Sequence, residues 1–539
     1  MFHDRVLVQQ QVSIPMTDGV KLSADIYRPK NVDAPLPILL MRLPYGRSIA
    51  STVVYKHPSW YADQGYIVVI QEVRGTGKSE GDFYPFRHEY QDGFDTVNWC
   101  IDAIPNNNGK LGMYGFSYQG VCQFQCAVKQ PKGLITICPA MATVDLFNGF
   151  LYWGGALCWQ FVLTWALQLA QIRAQNHQLL PQANSLLLYQ TQVNDWLNYV
   201  PIEQLPILKD EPLADFFWHW LTNSNSRESY WQELNPCSYL DSYDLPALHI
   251  GGWADIFIEA TVNAYLEVQQ YTQQPQHLLI APYEHFPWSA QVGDRHFGKQ
   301  AESHIDELQI AWFDFWLKDI DNGIIQQKPV QLFLMGANHF VGMEQFPHQP
   351  NFLYLYLHDR HQLKLIPQLE PSLPHTFVYD PKVPTPTTAY SFLCQSALTR
   401  RWDILLYESA PLAVELTIMG FPEMVLYGQT NLKEWDWVIR LLDIDPTGGQ
   451  LLVCMGVLHC QGEQEMVAQY LVRLRPTCHQ FAVGHKIGLA IASGAFPMIS
   501  RAGIDKHSLD MEAGTQQVYH SGEFCSLIKL PLAPARIYL

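Results

Sequence analysis

Hydrophobic and polar positions along the chain fall into two regimes. Residues 7–30 alternate apolar and polar around Thr17-Asp18-Gly19, which predicts an opening antiparallel hairpin. Short, nearly continuous apolar runs follow at 38–43, 66–70, 111–114, 134–138, 247–250 and 278–281. Such runs suit strands buried on both faces, as in a parallel sheet. Helical periodicity fills several intervals, most clearly 93–104, 118–129, 258–269 and 303–317. Alternation of this kind predicts an α/β sheet with crossover helices. Residues 143–240 break the rhythm. They are rich in Trp, Leu and Gln at helical spacing and predict a helical cap insertion. From residue 325 strand-like segments follow one another, among them 330–335, 353–357, 414–419, 437–442 and 451–458. The expected organisation is an α/β unit over 1–142 and 241–324, the cap over 143–240, and an all-β sandwich or jelly roll over 325–539.

Composition narrows the function classes. The chain has 539 residues, too many for one core, with 48% hydrophobic and 16% charged positions. A net charge of −17 argues against nucleic acid and anionic membrane surfaces. The start, Met1-Phe2-His3-Asp4-Arg5-Val6, lacks a basic segment followed by a long apolar run, so no secretory signal is expected. The apolar stretch 153–170 comes nearest to a membrane span, but Gln160 and Gln168 interrupt it. Eleven cysteines, an odd number, suit reduced core thiols in a cytoplasmic protein. Cys122 and Cys126, one helical turn apart, lack flanking ligands and read as core. The 16 Trp and 27 Tyr are compatible with apolar pockets and with a homodimer.

Gly115-Phe116-Ser117-Tyr118-Gln119-Gly120 joins a predicted buried strand to a predicted helix. A serine on such a junction projects its hydroxyl from the sheet edge, and the helix N-terminus behind it offers free N–H groups to a developing oxyanion. The usual elbow is Gly-x-Ser-x-Gly; here Gln119 takes the last glycine position and the glycine falls at 120. A serine nucleophile needs a base and an orienting acid, in the order Ser, Asp or Glu, His in α/β-hydrolases. Asp255 follows the run 247–250, and His285 follows the run 278–281, both at sheet-edge positions where open sheets bind ligands. His249 lies inside its strand and reads as core. Gly75-Thr76-Gly77-Lys78-Ser79 is not a P-loop, because Glu72 stands where the first glycine belongs. No His-Glu-x-x-His or Cys-x-x-Cys pair supports a metal, and no cofactor is expected.

These residues resemble the cocaine esterase and X-Pro dipeptidyl-peptidase group of α/β-hydrolases, which includes acylases and α-amino-acid ester hydrolases. The resemblance rests on the elbow Gly115–Gly120, the loop Arg74-Gly75-Thr76-Gly77-Lys78-Ser79-Glu80-Gly81, Pro44-Tyr45, Gly252-Trp253-Ala254-Asp255 and the helix 311–318. Glu72 and Ala254 depart from the family pattern. The resemblance implies an α/β-hydrolase fold with a galactose-binding-like jelly roll and a triad of Ser117, Asp255 and His285. It implies an oxyanion hole from the Tyr45 hydroxyl and the Tyr118 N–H, and an aromatic acyl pocket including Trp165 and Phe257. In the amino-acid ester hydrolases carboxylates follow the triad Asp by two and three positions; here these are Phe257 and Ile258, which favours an apolar acyl group. The expected activity is hydrolysis of a small-molecule ester or amide through an acyl-enzyme. An X-Pro dipeptidyl-peptidase or amino-acyl acylase is the alternative, and a carbohydrate-binding protein with an idle triad is the rival from another class.

Overall fold

The structure, a computed structural model, describes residues 5–47, 52–209, 211–347, 351–387, 394–464, 466–503 and 511–534. Residues 1–4, part of the segment read above for a leader, lie outside them.

Ten strands form the first sheet, in the spatial order Val6–Pro15, Lys21–Pro29, Ile67–Glu72, Leu36–Leu43, Asn107–Phe116, Leu134–Ala140, Ala247–Gly252, Gln276–Ala281, Val330–Leu334 and His339–Met343. The opening hairpin pairs antiparallel, the next seven strands run parallel, and the last strand pairs antiparallel again. The apolar runs are buried because helices cover both faces. Glu89–Ala103, Tyr118–Ala127, Ile258–Val268 and Ile305–Lys318 supply the crossovers. Parallel pairing brings every C-terminal strand end to one edge, where Tyr45, Ser117, Asp255 and His285 follow their strands. One expectation is corrected. The sequence pattern puts the run 330–335 in the β-domain, but Val330–Leu334 pairs parallel with Gln276–Ala281 and extends the first sheet through Met343.

Between the strands Leu134–Ala140 and Ala247–Gly252 lies the helical segment, led by Trp159–Asn176, Leu180–Thr191 and Glu211–Thr222. The first of these has no Gly or Pro in its length. It buries Val162, Leu163, Ala166, Leu169 and Ala170 at spacings of three and four. Arg173, near its end, donates to Asp215 at 2.6 Å and to Asp82 at 3.0 Å, tying the segment to the loop after Gly81.

The C-terminal part is all β. Eleven of its strands form one sheet whose two halves meet through a single parallel pair, Gln362 with Glu408, and Leu416–Gly420 pairs separately with Thr477–Phe481. Leu355, Leu426 and Ile528 from one half and Leu489, Trp437 and Leu441 from the other share one core. This unit is not separate from the rest. A continuous buried cluster takes in Leu40 and Met113 of the first sheet, Val162 and Trp220 of the helical segment, and Val438, Leu452 and Val457 of the β-rich part. At the contact, the short hairpin Tyr152–Leu157 turns at Gly154, whose carbonyl accepts from the His459 N–H at 2.7 Å. Gly154 has φ +55°, and a Cβ there would stand 1.8 Å from the Val457 carbonyl oxygen. The Arg475 guanidinium lies 3.7 Å over the Trp153 ring.

Among the described residues no helix is long and apolar enough to cross a membrane. All eleven cysteines are free thiols; Cys122 and Cys126 are buried core residues.

Candidate active site

Ser117 sits at the turn between the strand Asn107–Phe116 and the helix Tyr118–Ala127, with φ 59° and ψ −125°. A non-glycine residue holds this conformation only when its surroundings impose it. The two flanking glycines show how. A Cβ on Gly115 would lie 2.6 Å from the Gln119 Cβ, and one on Gly120 would lie 2.5 Å from the Ala142 Cβ and 3.0 Å from the Ala140 carbonyl. Residue 120, not 119, faces the neighbouring strand, which accounts for the displaced glycine. Gln119 instead accepts from the Phe116 N–H at 3.3 Å.

Asp255 and His285 meet at the adjacent strand ends. His285 Nδ1 is 2.9 Å from Asp255 Oδ1, with the carboxylate fully buried and the imidazole partly open. Gly252 permits this approach, since a Cβ there would stand 2.2 Å from the Tyr283 carbonyl oxygen. His249 is core, as its strand position predicts. Its Nε2 is 3.0 Å from Gln276 Oε1, and burial pushes its pKa down to about 4.

Ser117 and His285 open on one cavity of about 640 Å³, with Tyr45, Phe161, Trp165, Ile256 and Phe286 on its walls. None of the described lining residues carries a carboxylate, ammonium or guanidinium group. The Tyr45 hydroxyl accepts from the Trp165 indole N–H at 2.9 Å. Burial pushes the Tyr45 phenol pKa upward, against the weaker opposing effect of that hydrogen bond, so the phenol stays protonated. Trp165 is clamped between Phe161 and Trp220, with ring centroids 5.3 Å and 5.1 Å away. Tyr118 is buried. Its hydroxyl donates to Glu89 at 2.9 Å and accepts from the Phe86 N–H at 3.0 Å, and Glu89 pairs in turn with the buried Arg42 at 2.7 Å. These contacts fix the first helical residue, whose N–H has no intrahelical acceptor.

Phe257 departs from expectation. It does not line the cavity; it is buried, stacks on Phe150 at 4.2 Å and packs edge-on against His285 at 5.1 Å. Its neighbour Ile256 takes the wall position. The loop 74–81 is structural. Arg74 binds both oxygens of Asp92, at 3.0 and 2.6 Å, and a Cβ on Gly77 would meet the Glu72 carboxyl at 2.2 Å. Glu72 accepts from the Lys78 N–H at 2.8 Å, so the carboxylate fills the space a phosphate would need.

A doubly wound sheet with a strained serine at a strand–helix elbow defines the α/β serine hydrolases, and this chain is one. A model of the X-Pro dipeptidyl-peptidase (S15) family matches residues 18–287, and a model of the X-Pro dipeptidyl-peptidase C-terminal non-catalytic domain matches residues 322–527. The chain belongs to the X-Pro dipeptidyl-peptidase (S15) family. It is 26% identical to the cocaine esterase of Rhodococcus sp. (strain MB1 Bresler), over 97% of this chain and 98% of that one. Among solved structures, an aminopeptidase from a marine sediment Thaumarchaeota archaeon superposes with a TM-score of 0.83 at 20% identity, covering 98% of this chain and 97% of that one. An α-amino acid ester hydrolase superposes with a TM-score of 0.81 at 22% identity, with the same coverage. The solved structures share the fold.

Proposed function

We propose that the protein hydrolyses carboxylic esters of uncharged, apolar or aromatic acids through an acyl-enzyme on Ser117. The observation that carries this reading is the Asp255–His285 pair opening on the same cavity as the strained Ser117. His285 Nε2 takes the Ser117 proton as Oγ attacks the ester carbonyl, while Nδ1–H donates to Asp255 Oδ1. The Tyr45 hydroxyl and the Tyr118 N–H donate to the oxyanion of the tetrahedral intermediate. Collapse expels the alkoxide, which leaves as alcohol with the proton from His285. A water then gives its proton to His285 and attacks the acyl carbonyl, releasing the acid and restoring Ser117.

The uncharged walls support an acyl group without a free amine, as the apolar Phe257 and Ile258 do in sequence. Recognition of an amino terminus would need a carboxylate at the cavity, and none is among the described lining residues. Similarity to an enzyme named cocaine esterase points the same way. The free thiols support a reducing, cytoplasmic setting. Two measurements test the proposal. A fluorophosphonate labels Ser117, read by peptide mass spectrometry, and kcat/KM for aryl esters exceeds that for amino-acid esters and X-Pro amides. Labelling elsewhere, or a preference for the charged amine, overturns it.

A further inference from the structure

Away from the Ser117 cavity, the β-rich part holds a second convergence of reactive side chains. Asp359 follows the strand Phe352–His358, His375 opens the strand His375–Tyr379, and His520 follows the strand Gly514–Tyr519. The last two strands pair antiparallel with His375 opposite Val518, which brings His375 beside His520. One donor atom from each of the three residues lies within 4.8 Å of those of the other two. Asp359 Oδ1 is 2.9 Å from His520 Nε2, and the His375 and His520 rings stack 4.3 Å apart.

Two of the three arms are also held from behind. His375 Nδ1 is 2.7 Å from the hydroxyl of the buried Tyr407. Nδ1–H donated there would leave the His375 lone pair on Nε2. Asp359 Oδ2 accepts from Gln368 Nε2 at 2.8 Å, and the Asp359 N–H donates to Gln368 Oε1 at 3.0 Å. Outer hydrogen bonds of this kind orient imidazole and carboxylate ligands around metal ions. The following residues, Arg360 and His361, both have left-handed φ, 57° and 56°, which non-glycine residues rarely adopt. That turn lays the His361 ring on His375, with centroids 4.1 Å apart. An isolated Asp359–His520 ion pair would account for two of these residues but not for the third converging donor.

We propose that Asp359, His375 and His520 bind a divalent transition metal ion of the zinc class, with water in the remaining position. Two imidazoles and one carboxylate form a donor set that zinc takes readily. Bonds of about 2.0–2.1 Å in a tetrahedron space the ligand atoms about 3.3 Å apart. The Asp359–His520 separation is near that already, and the stacked rings reach it by tilting toward the ion. Asp359 is exposed, which gives the ion a path in. None of the three residues lines the cavity of Ser117, so the ion acts as a clamp on three chain segments.

The test uses the full-length protein, stripped with a chelator and titrated with zinc sulfate. One equivalent binds by calorimetry, and the melting temperature rises. Asp359→Asn and His375→Gln each weaken zinc affinity at least roughly tenfold and remove the melting shift, while near-UV circular dichroism shows both variants folded. Cobalt(II) in place of zinc gives the ligand-field bands of a four-coordinate nitrogen–oxygen site with no thiolate charge-transfer band, which separates this site from the exposed Cys394. Absence of zinc binding, equal affinity in Asp359→Asn, or a thiolate band overturns the proposal.

Discussion

Replacing Tyr45 by phenylalanine removes a hydroxyl that stands in one hydrogen bond in the resting enzyme and, in the proposed mechanism, in a second formed only during reaction. As oxyanion donor, its loss lowers kcat by about 10² to 10³, or roughly 2.7–4 kcal/mol of transition-state stabilisation. KM changes little, because the charge it stabilises is absent from the bound ester. The resting-state effect is separate. The Tyr45 oxygen accepts the Trp165 indole N–H at 2.9 Å, and Trp165 is only 6% exposed. Phenylalanine orphans that N–H, at a cost of about 1–3 kcal/mol, seen as a lower urea midpoint at constant slope. A second change separates the two effects. Trp165→Phe removes the orphaned donor and keeps a ring between Phe161 and Trp220, so Tyr45→Phe/Trp165→Phe regains stability without regaining kcat. Trp165→Phe alone keeps the phenol but not the bond that directs its proton, and lowers kcat by roughly fivefold, about 1 kcal/mol. A Tyr45→Phe enzyme with unaltered kcat would refute the donor assignment, and additive urea midpoints in the cycle would refute the coupling.

Three further outcomes follow from the elbow and its partners. Ser117→Gly abolishes turnover yet raises stability by about 1 kcal/mol, because glycine adopts the left-handed φ of 59° without strain; a lower urea midpoint would contradict this. Asp255→Asn lowers kcat by about 10⁴ with the fold intact, since His285 loses the carboxylate that holds its tautomer; single-turnover kinetics measures it. Gly120→Ala costs about 1–3 kcal/mol from overpacking against Ala142, and Ala142→Gly in the same chain restores part of the loss in thermal unfolding.

What was legible in the sequence was local. The strand Asn107–Phe116, its elbow and its helix are contiguous, so glycine spacing and apolar runs suffice to place Ser117. Asp255 and His285 follow because each trails a buried strand, and parallel pairing does the rest. Features that depend on distant partners stayed hidden. A run such as 330–334 looks the same in either sheet, and only its pairing with Gln276–Ala281 assigns it. Phe257 and Ile256 are adjacent and both apolar, and the backbone turn before the helix Ile258–Val268 decides which faces the cavity. Asp359, His375 and His520 have no ligand spacing to read, since three separate strands bring them together.

The glycine at 154 gives the β-rich part a bearing on the cavity it never lines. With 1.8 Å to the Val457 oxygen, any side chain there acts as a wedge at the joint between the hairpin Tyr152–Leu157 and the β-rich part. The hairpin runs directly into the helix that carries Phe161 and Trp165, so a wedge at the joint is a lever on that wall of the cavity. Among the described residues the buried core thus runs unbroken from the first sheet through the helical segment into the β-rich part. Removing the β-rich part would strip the helical segment of its backing and take Val438, Leu452 and Val457 out of the cluster they share with the first sheet and the helical segment. Substrate preference in such a molecule is open to adjustment from the far side of a domain joint, by residues that never meet the substrate.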